Sequence, residues 1–169
     1  MQTDLATTRC DLHPVTSGDA EALHALWTSP GVRRYLWDGE IIARERTDDA
    51  ISSSEQLFER NDFGLWVVRE RFDRSLTGFA GLWPFREEQQ FELLYGIDER
   101  LWGHGYAVEA AQAVIDYCFR ILEMPLLRAS ADADNVASVR VLEKLGFTPT
   151  RRDTARGLDT IFFERARPH

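Results

Sequence analysis

A glycine-containing turn leads from a predicted strand into the most regular predicted helix of the chain: Arg100-Leu101-Trp102-Gly103-His104-Gly105-Tyr106-Ala107. We call these eight residues the cradle. Glycine lets the backbone approach a ligand closely and adopt turn dihedral angles. The first N–H groups of a helix lack partners within the helix and lie at the positive end of its dipole. The segment therefore predicts an anion site, and the structural alternative is a tight turn into the helix.

Two familiar phosphate-binding motifs do not describe this turn. A dinucleotide fingerprint needs a third glycine and a later acidic residue for the ribose, and a P-loop needs a lysine after its glycines. The cradle has neither arrangement. Its function has to be inferred together with other parts of the chain.

The elements around the cradle follow from periodicity and turn residues. The helix after Gly105 carries an apolar stripe and ends before Pro125; a strand at 126–131, a helix at 135–145 stopped by Gly146, and strands at 147–152 and 160–165 follow. Upstream, we predict a strand at 9–15, a helix from Ala20 to Trp27 ended by Ser29-Pro30-Gly31, a helix at 43–60, and strands at 63–70, 77–85 and 90–97. This order predicts a mixed sheet flanked by helices.

Length and composition favour one globular domain over residues 1–169, with a core from about residue 9 to about residue 165. The 169 residues are 44% hydrophobic and 28% charged, which is ordinary for a folded protein. Twenty basic and 28 acidic residues give a net charge of 20 − 28 = −8. An acidic chain is a poor partner for nucleic acid and favours a cationic ligand.

The sequence indicates neither membrane attachment nor metal chemistry. The N-terminus lacks the basic start and apolar stretch of a signal peptide, and apolar runs such as 65–68 are only as long as strands. We therefore expect a cytoplasmic protein with no membrane partner. The two cysteines form no paired motif and the four histidines have no ligand spacing, so no metal is expected.

A second segment gives the cradle a context: Asn135-Val136-Ala137-Ser138-Val139-Arg140-Val141-Leu142-Glu143-Lys144-Leu145-Gly146-Phe147. Together the two segments resemble the GNAT superfamily of acetyl-CoA-dependent N-acetyltransferases, in the branch of the Rim-type ribosomal-protein N-terminal acetyltransferases. Arg100, Gly103 and Gly105 match the family's Arg/Gln-x-x-Gly-x-Gly/Ala pattern. The Tyr-Ala-x-Glu-Ala that follows, at 106–110, and the later Asn-x-x-Ser…Glu-Lys-x-Gly-Phe are also typical of the branch. The resemblance extends from about residue 12 to residue 163.

The resemblance implies a fold and a cofactor site. The fold is α+β, with a central mixed, mostly antiparallel sheet of about seven strands, about four helices, and a splayed strand pair that binds CoA. Pantetheine would lie along the backbone around Tyr95 to Asp98, and Asn135 would orient the cofactor unless it only caps its helix. The cofactor-binding residues implied are Ile97, Asp98, Arg100, Leu101, Trp102, Gly103, His104, Gly105, Tyr106, Ala107 and Asn135.

Two side chains are candidates for catalysis. Acetyl transfer needs an unprotonated amine, and Glu92 occupies the place of a glutamate often found in this branch on the strand before the cradle, where it would accept the amine proton directly or through water. The alternative is a polar position that faces solvent in an alternating strand. Many GNAT enzymes protonate the leaving thiolate with a tyrosine seven residues after the asparagine, but Leu142 stands there. Ser138 is the substitute candidate, and a role in capping the helix is its alternative.

The sequence leads to two hypotheses about function, an enzyme as the main one and a domain without catalysis as the alternative. The first is an acetyl-CoA-dependent transfer to a primary amine, either a protein N-terminus or a small cationic amine, by direct attack in a ternary complex. Trp27, Tyr35, Trp37, Trp83 and Phe85 are candidates to line the acceptor cleft, and Asp38, Glu40, Glu87 and Glu88 to attract a cation. The second, motivated by Leu142, is a non-catalytic CoA-binding or regulatory domain. The family also allows a homodimer, with no interface located.

Overall fold

The computed structural model describes residues 2–84, 90–155 and 157–169. Its centre is one sheet of eight strands, in the order β1-β2-β3-β4-β5-β6-β8-β7. The strands are β1 (Leu5–Ala6), β2 (Cys10–Pro14), β3 (Leu65–Glu70), β4 (Leu76–Pro84), β5 (Phe91–Ile97), β6 (Leu126–Asp132), β7 (Thr148–Ala155) and β8 (Leu158–Ala166). The helices are α1 (Ala20–Thr28), α2 (Pro30–Leu36), α3 (Arg44–Asn61), α4 (Tyr106–Arg120) and α5 (Val136–Lys144).

The sheet changes from antiparallel to parallel pairing at one place. Every neighbouring pair is antiparallel except β5 and β6, which run parallel and share one register pair, Glu92 with Arg128. By contrast, β4 and β5 are paired along seven positions. Beyond Glu92, toward the carboxyl ends, no further residue pair joins the two strands in the described part of the chain. We call this gap the strand split.

Two apolar clusters cover the two faces of the sheet. One lies under α4 and α5 and includes Trp66, Leu93 and Ala110, while Phe91 and Tyr95 pack against it. The other lies under α1 and α2 and includes Trp27 and Phe79, with Trp83 and Leu94 packed against it. Side chains that alternate along β5 therefore contribute to opposite faces.

The expected fold class is confirmed, with one strand and one helix more than expected. Strand β1 has only two residues, too few to show an alternating pattern. Helix α2 begins at Pro30, which was interpreted only as the end of the preceding helix. Proline also fits the first position of a helix, because the amide that it lacks would have no helical partner there. Strand β4 is described to Pro84, and Phe85 lies outside the described residues.

No helix in the described part of the chain is both long and apolar enough to cross a membrane. Cys10 and Cys118 are buried free thiols. Burial raises the pKa of Cys10 to about 11 and that of Cys118 to about 12. Both side chains therefore stay protonated at neutral pH and serve as core residues.

Candidate active site

The cradle begins with a short 3-10 turn, Glu99–Leu101, directly after β5. Asp98 caps this turn by accepting the Arg100 amide and also pairs with the Arg100 guanidinium, with 2.6 Å between Oδ2 and Nη2. Hydrogen bonds from the Arg100 side chain hold the pKa of Asp98 below its ordinary value. The Arg100 side chain is 81% exposed, so it lies at the edge of the cradle in contact with a carboxylate.

The two cradle glycines adopt left-handed backbone conformations, with φ of 79° at Gly103 and 81° at Gly105. A side chain would be strained there, which explains the residue type. A methyl group on Gly103 would meet no atom within 4 Å, so this part of the turn presents its backbone to open space. The predicted close approach of a ligand to the backbone is sterically allowed at Gly103.

Helix α4 begins directly at the cradle, with Gly105 at its N-cap and no side chain of the described ranges capping it. Helix α5 differs, since Asn135 caps it by accepting the Ser138 amide at 3.2 Å. The first amides of α4 therefore lack the side-chain acceptor that those of α5 have. Within the cradle, the Leu101 and Trp102 amides already donate to the Asp98 and Glu99 carbonyls at 2.8 and 3.3 Å. The backbone groups that fit a pyrophosphate are therefore those of Gly103, His104, Gly105, Tyr106 and Ala107.

Two further contacts hold the cradle in place. The Trp102 indole donates to the Ile97 carbonyl at 2.8 Å, and His104 Nδ1 donates to the Trp102 carbonyl at 2.9 Å. A Cβ on Gly31, in the first turn of α2, would lie 2.9 Å from the Trp102 ring. The cradle thus packs tightly against α2, and only glycine leaves room for this approach.

The sequence did not predict that part of the N-terminal segment contacts the cradle and the start of α4. The Glu109 carboxylate in α4 accepts the Thr7 hydroxyl at 2.6 Å, the Arg9 amide at 2.8 Å and the Arg9 Nε at 2.7 Å. Arg9 also donates to the His104 carbonyl at 2.9 Å and lies over the Tyr106 ring. Since Arg9 and Glu109 are 100 residues apart, no local pattern could have indicated this contact.

The backbone of β5 places hydrogen-bonding groups along the strand split. The Asp98 amide donates to the Thr77 carbonyl of the β4 side at 2.9 Å. Along an extended strand, successive residues direct their backbone groups to opposite sides, so the groups of Tyr95 and Ile97 point toward β6. Tyr95 lies beyond the single pair between β5 and β6. Its N–H and C=O are placed to bond an extended amide chain such as pantetheine.

The two catalytic candidates lie on opposite faces of the sheet. Glu92 is half-buried and accepts the Ser130 hydroxyl at 3.1 Å. It is paired across the sheet with Trp83, which packs in the α1/α2 cluster. Ser138 lies in the first turn of α5, and its Oγ is 2.9 Å from the Tyr95 hydroxyl. The Asn135 side chain caps α5, and the Ser138 hydroxyl contacts Tyr95.

The acceptor-side candidates divide between core and surface. Trp27 is 2% exposed and packs edge to face with Trp37 and Phe79, so it is a core residue and does not line a cleft. Tyr35, Trp37 and Trp83 are half-buried, and Asp38 and Glu40 are exposed. Phe85, Glu87 and Glu88 lie outside the described residues. Among residues 2–84, 90–155 and 157–169, no group of acidic, histidine and cysteine side chains could hold a metal ion.

A family model for the acetyltransferase (GNAT) domain matches residues 9–148. The chain belongs to the GNAT acetyltransferase family. It is accordingly a transferase of the acyltransferase class. The match includes the cradle, β5, β6 and α5 and ends at the first residue of β7, so the cradle, Glu92 and Ser138 lie within the family domain.

Relatives of this GNAT chain agree with that assignment. YkkB of Bacillus subtilis, an uncharacterized protein, is 30% identical over 86% of this chain and 85% of its own length. The uncharacterized N-acetyltransferase YoaA of the same organism is 29% identical, covering 85% of this chain and 81% of its own. RimL, a ribosomal L7/L12 alpha-N-protein acetyltransferase solved with coenzyme A, has the same fold, with a TM-score of 0.81, 18% identity, and 95% of each chain covered. The likeness to RimL confirms the fold that the resemblance implies.

Proposed function

We propose that this GNAT chain transfers an acetyl group from acetyl-CoA to a primary amine by direct attack in a ternary complex. The observation that carries the proposal is the position of the strand split between two chemically different faces. Helix α4, which begins at the cradle, lies on the α4/α5 face together with Tyr95 and its partner Ser138, and Glu92 shares the α1/α2 face with Trp83 and Leu94. The two substrates can therefore approach the split from opposite sides of the sheet.

The residues divide the reaction between them. Amides of the cradle bind the pyrophosphate, and the backbone groups of Tyr95 together with the Ile97 amide hold pantetheine so that the thioester reaches the split. Glu92 accepts a proton from the amine as the nitrogen forms its bond to the carbonyl carbon. The carbon–sulfur bond then breaks, and the electron pair leaves with sulfur on the Ser138 side. Holding both substrates in place supplies much of the rate enhancement.

The acceptor is a protein N-terminal α-amine or a small cationic amine. The net charge of −8 favours a cation, and exposed Asp38 and Glu40 add negative charge after α2. The Rim-type fold supports an α-amine, whose pKa of about 7.7–8.0 leaves part of it neutral at physiological pH. A polyamine or an aminoglycoside-like compound is the small-molecule counterpart.

An amine panel with thiol detection tests the proposal. N-terminal peptides, polyamines and aminoglycosides are incubated with acetyl-CoA, and free thiol is measured against an amine-free control. We expect release with at least one class. A lack of acetyl-CoA binding in calorimetry at millimolar concentration would contradict the proposal at its first step.

One observation favours a second candidate, a CoA-binding domain without catalysis. The position of the usual tyrosine is filled by Leu142, which is 1% exposed and part of the core. It therefore contributes packing and no proton. Acetyl-CoA binding without thiol release for every amine of the panel would favour this candidate, and turnover of any amine excludes it.

A further inference from the structure

The Tyr95 side chain connects the strand split to helix α5. Its hydroxyl lies 2.9 Å from Ser138 Oγ and 3.2 Å from the Ser138 carbonyl oxygen. The ring packs against the apolar cluster under α4. Tyr95 lies three residues beyond Glu92, where the pairing of β5 with β6 has ended. The contact between Tyr95 and Ser138 therefore spans the cofactor-side mouth of the split.

The Ser138 hydroxyl has a single hydrogen to donate, so the acceptor of that hydrogen determines the role of the side chain. If Ser138 donates to Tyr95, the hydrogen is used inside the protein. If Tyr95 donates to Ser138 Oγ, the serine hydrogen is left to point into the split. The Ser138 carbonyl oxygen can only accept, so its contact at 3.2 Å turns the Tyr95 hydrogen toward Ser138. At 2.9 Å, Ser138 Oγ is the nearer acceptor for that hydrogen.

The pKa values of the Tyr95 hydroxyl and of a thiol decide whether Tyr95 donates a hydrogen bond or transfers its proton. Burial raises the pKa of Tyr95 to about 12, although the hydrogen bond with Ser138 opposes this rise. A free thiol such as that of cysteine has a pKa of about 8.5. A phenol that holds its proton so much more tightly does not protonate a thiolate at equilibrium. It remains a hydrogen-bond donor over the whole physiological pH range.

We propose that Tyr95 is a positioning residue that donates its hydroxyl hydrogen to Ser138 Oγ and thereby directs the Ser138 O–H at the leaving sulfur. Ser138 stabilises the negative charge that develops on sulfur by a hydrogen bond, and the proton that completes the thiol comes from water. Preorganised donors of this kind are effective because they need no reorientation during the reaction. The inference rests on the proposed function, since it places the sulfur in the strand split.

A double-mutant cycle tests whether Tyr95 acts through Ser138. We expect Ser138→Ala to lower kcat about 100-fold, comparable with the loss of one oxyanion donor. Tyr95→Phe is expected to lower kcat about tenfold with little change in the KM for acetyl-CoA, because the ring and its packing remain. The double variant should match Ser138→Ala alone. Multiplied effects of the two substitutions would show independent roles and overturn the proposal.

Binding of the product CoA and of its analogue desulfo-CoA gives a readout without turnover. Desulfo-CoA lacks the sulfur that Ser138 is inferred to contact, so the wild-type protein should bind CoA about tenfold more tightly than desulfo-CoA above about pH 8.5, where the thiol ionises. Tyr95→Phe and Ser138→Ala should both reduce this preference. An unchanged preference in Tyr95→Phe would overturn the proposal.

Tyr117→Phe is the matched control. It removes another tyrosine hydroxyl, one that donates to the Asp62 carbonyl at 2.7 Å, away from the split. It should lower Tm without changing kcat or the preference for CoA. Failure of the proposed function can be distinguished from failure of the role of Tyr95. A wild-type protein that binds no acetyl-CoA contradicts the proposed function. A wild-type protein that acetylates an amine while Tyr95→Phe matches it contradicts only the role of Tyr95.

Discussion

At the residue scale, Glu92 lies on the α1/α2 face of the sheet, and its carboxylate accepts the Ser130 hydroxyl. If it accepts the amine proton, Glu92→Gln removes the base and keeps the shape. We expect kcat to fall about 10²- to 10⁴-fold, the usual contribution of a general base. The loss should be greatest at low pH, where most of the amine is protonated. Calorimetry should show unchanged acetyl-CoA binding.

Glu143→Gln provides the control for this substitution, since Glu143 is an exposed glutamate on α5. It should leave the pH–rate profile unaltered. A Glu92→Gln protein with the wild-type profile would show that the carboxylate faces the acceptor side without taking part in the reaction.

The substitution Gly103→Ala adds one methyl group and tests whether the backbone of the cradle binds acetyl-CoA. With φ of 79°, alanine costs about 1–2 kcal/mol of backbone strain there. The methyl group would occupy open space in front of the cradle, so we also expect a higher Kd for acetyl-CoA. Gly157→Ala has similar strain, with φ of 75° and an equally open Cβ position, but lies in the β7–β8 hairpin. Calorimetry should show weaker binding for Gly103→Ala only.

At the scale of elements, the carboxylate of Glu109 ties the start of α4 to the N-terminal segment. Burial acts to raise the pKa of Glu109, but hydrogen bonds from Thr7 and from the Arg9 amide and guanidinium outweigh it and lower the pKa below 4.5. The stabilisation is therefore complete above pH 4.5 and is lost as the pH falls through the lower folded-state pKa.

Glu109→Gln should cost about 1–2 kcal/mol of unfolding free energy at neutral pH, since charge-assisted hydrogen bonds are lost. The cost should shrink in acid, where the wild-type protein also loses the charge. Urea unfolding at neutral pH and at pH values below 4.5 measures both effects. Glu59→Gln, an exposed change on α3, should show no such pH-dependent difference.

The same elements show what a sequence can predict. The apolar stripe of α4 and the asparagine cap of α5 are local patterns, and the structure has both helices where they were expected. Helix α2 was missed because Pro30 fits both a stop and a start. The contacts of Tyr95 with Ser138 and of Arg9 with Glu109 join residues 43 and 100 positions apart. Only the folded sheet brings them together. Tyr95, Ser138 and Glu109 lie on elements that the sequence predicts, whereas Arg9 lies in the bend between β1 and β2.

At the scale of the whole molecule, the proposed function gives the acidic protein two substrates of opposite sign. A net charge of −8 would attract a cationic amine and repel anionic CoA, for which we propose local binding by uncharged amides. Raising ionic strength from about 0.01 to about 0.15 M shortens the Debye length from about 30 to about 8 Å. We expect the KM for a polyamine to rise and the KM for acetyl-CoA to fall or stay constant. Steady-state kinetics in sodium chloride measure both, and a rise in both would contradict this division.

The opposite facing of Glu92 and Tyr95 has a consequence for how this region can evolve. The two residues are an odd number of positions apart in one strand, so they point to different faces. Almost any substitution between them leaves that relation intact. Insertion or deletion of a single residue would preserve a strand and its cross-strand ladder but reverse every side chain on one side of the change. Substitutions between residues 92 and 95 are thus tolerated, whereas a change of length would turn Glu92 or Tyr95 to the opposite face of the sheet.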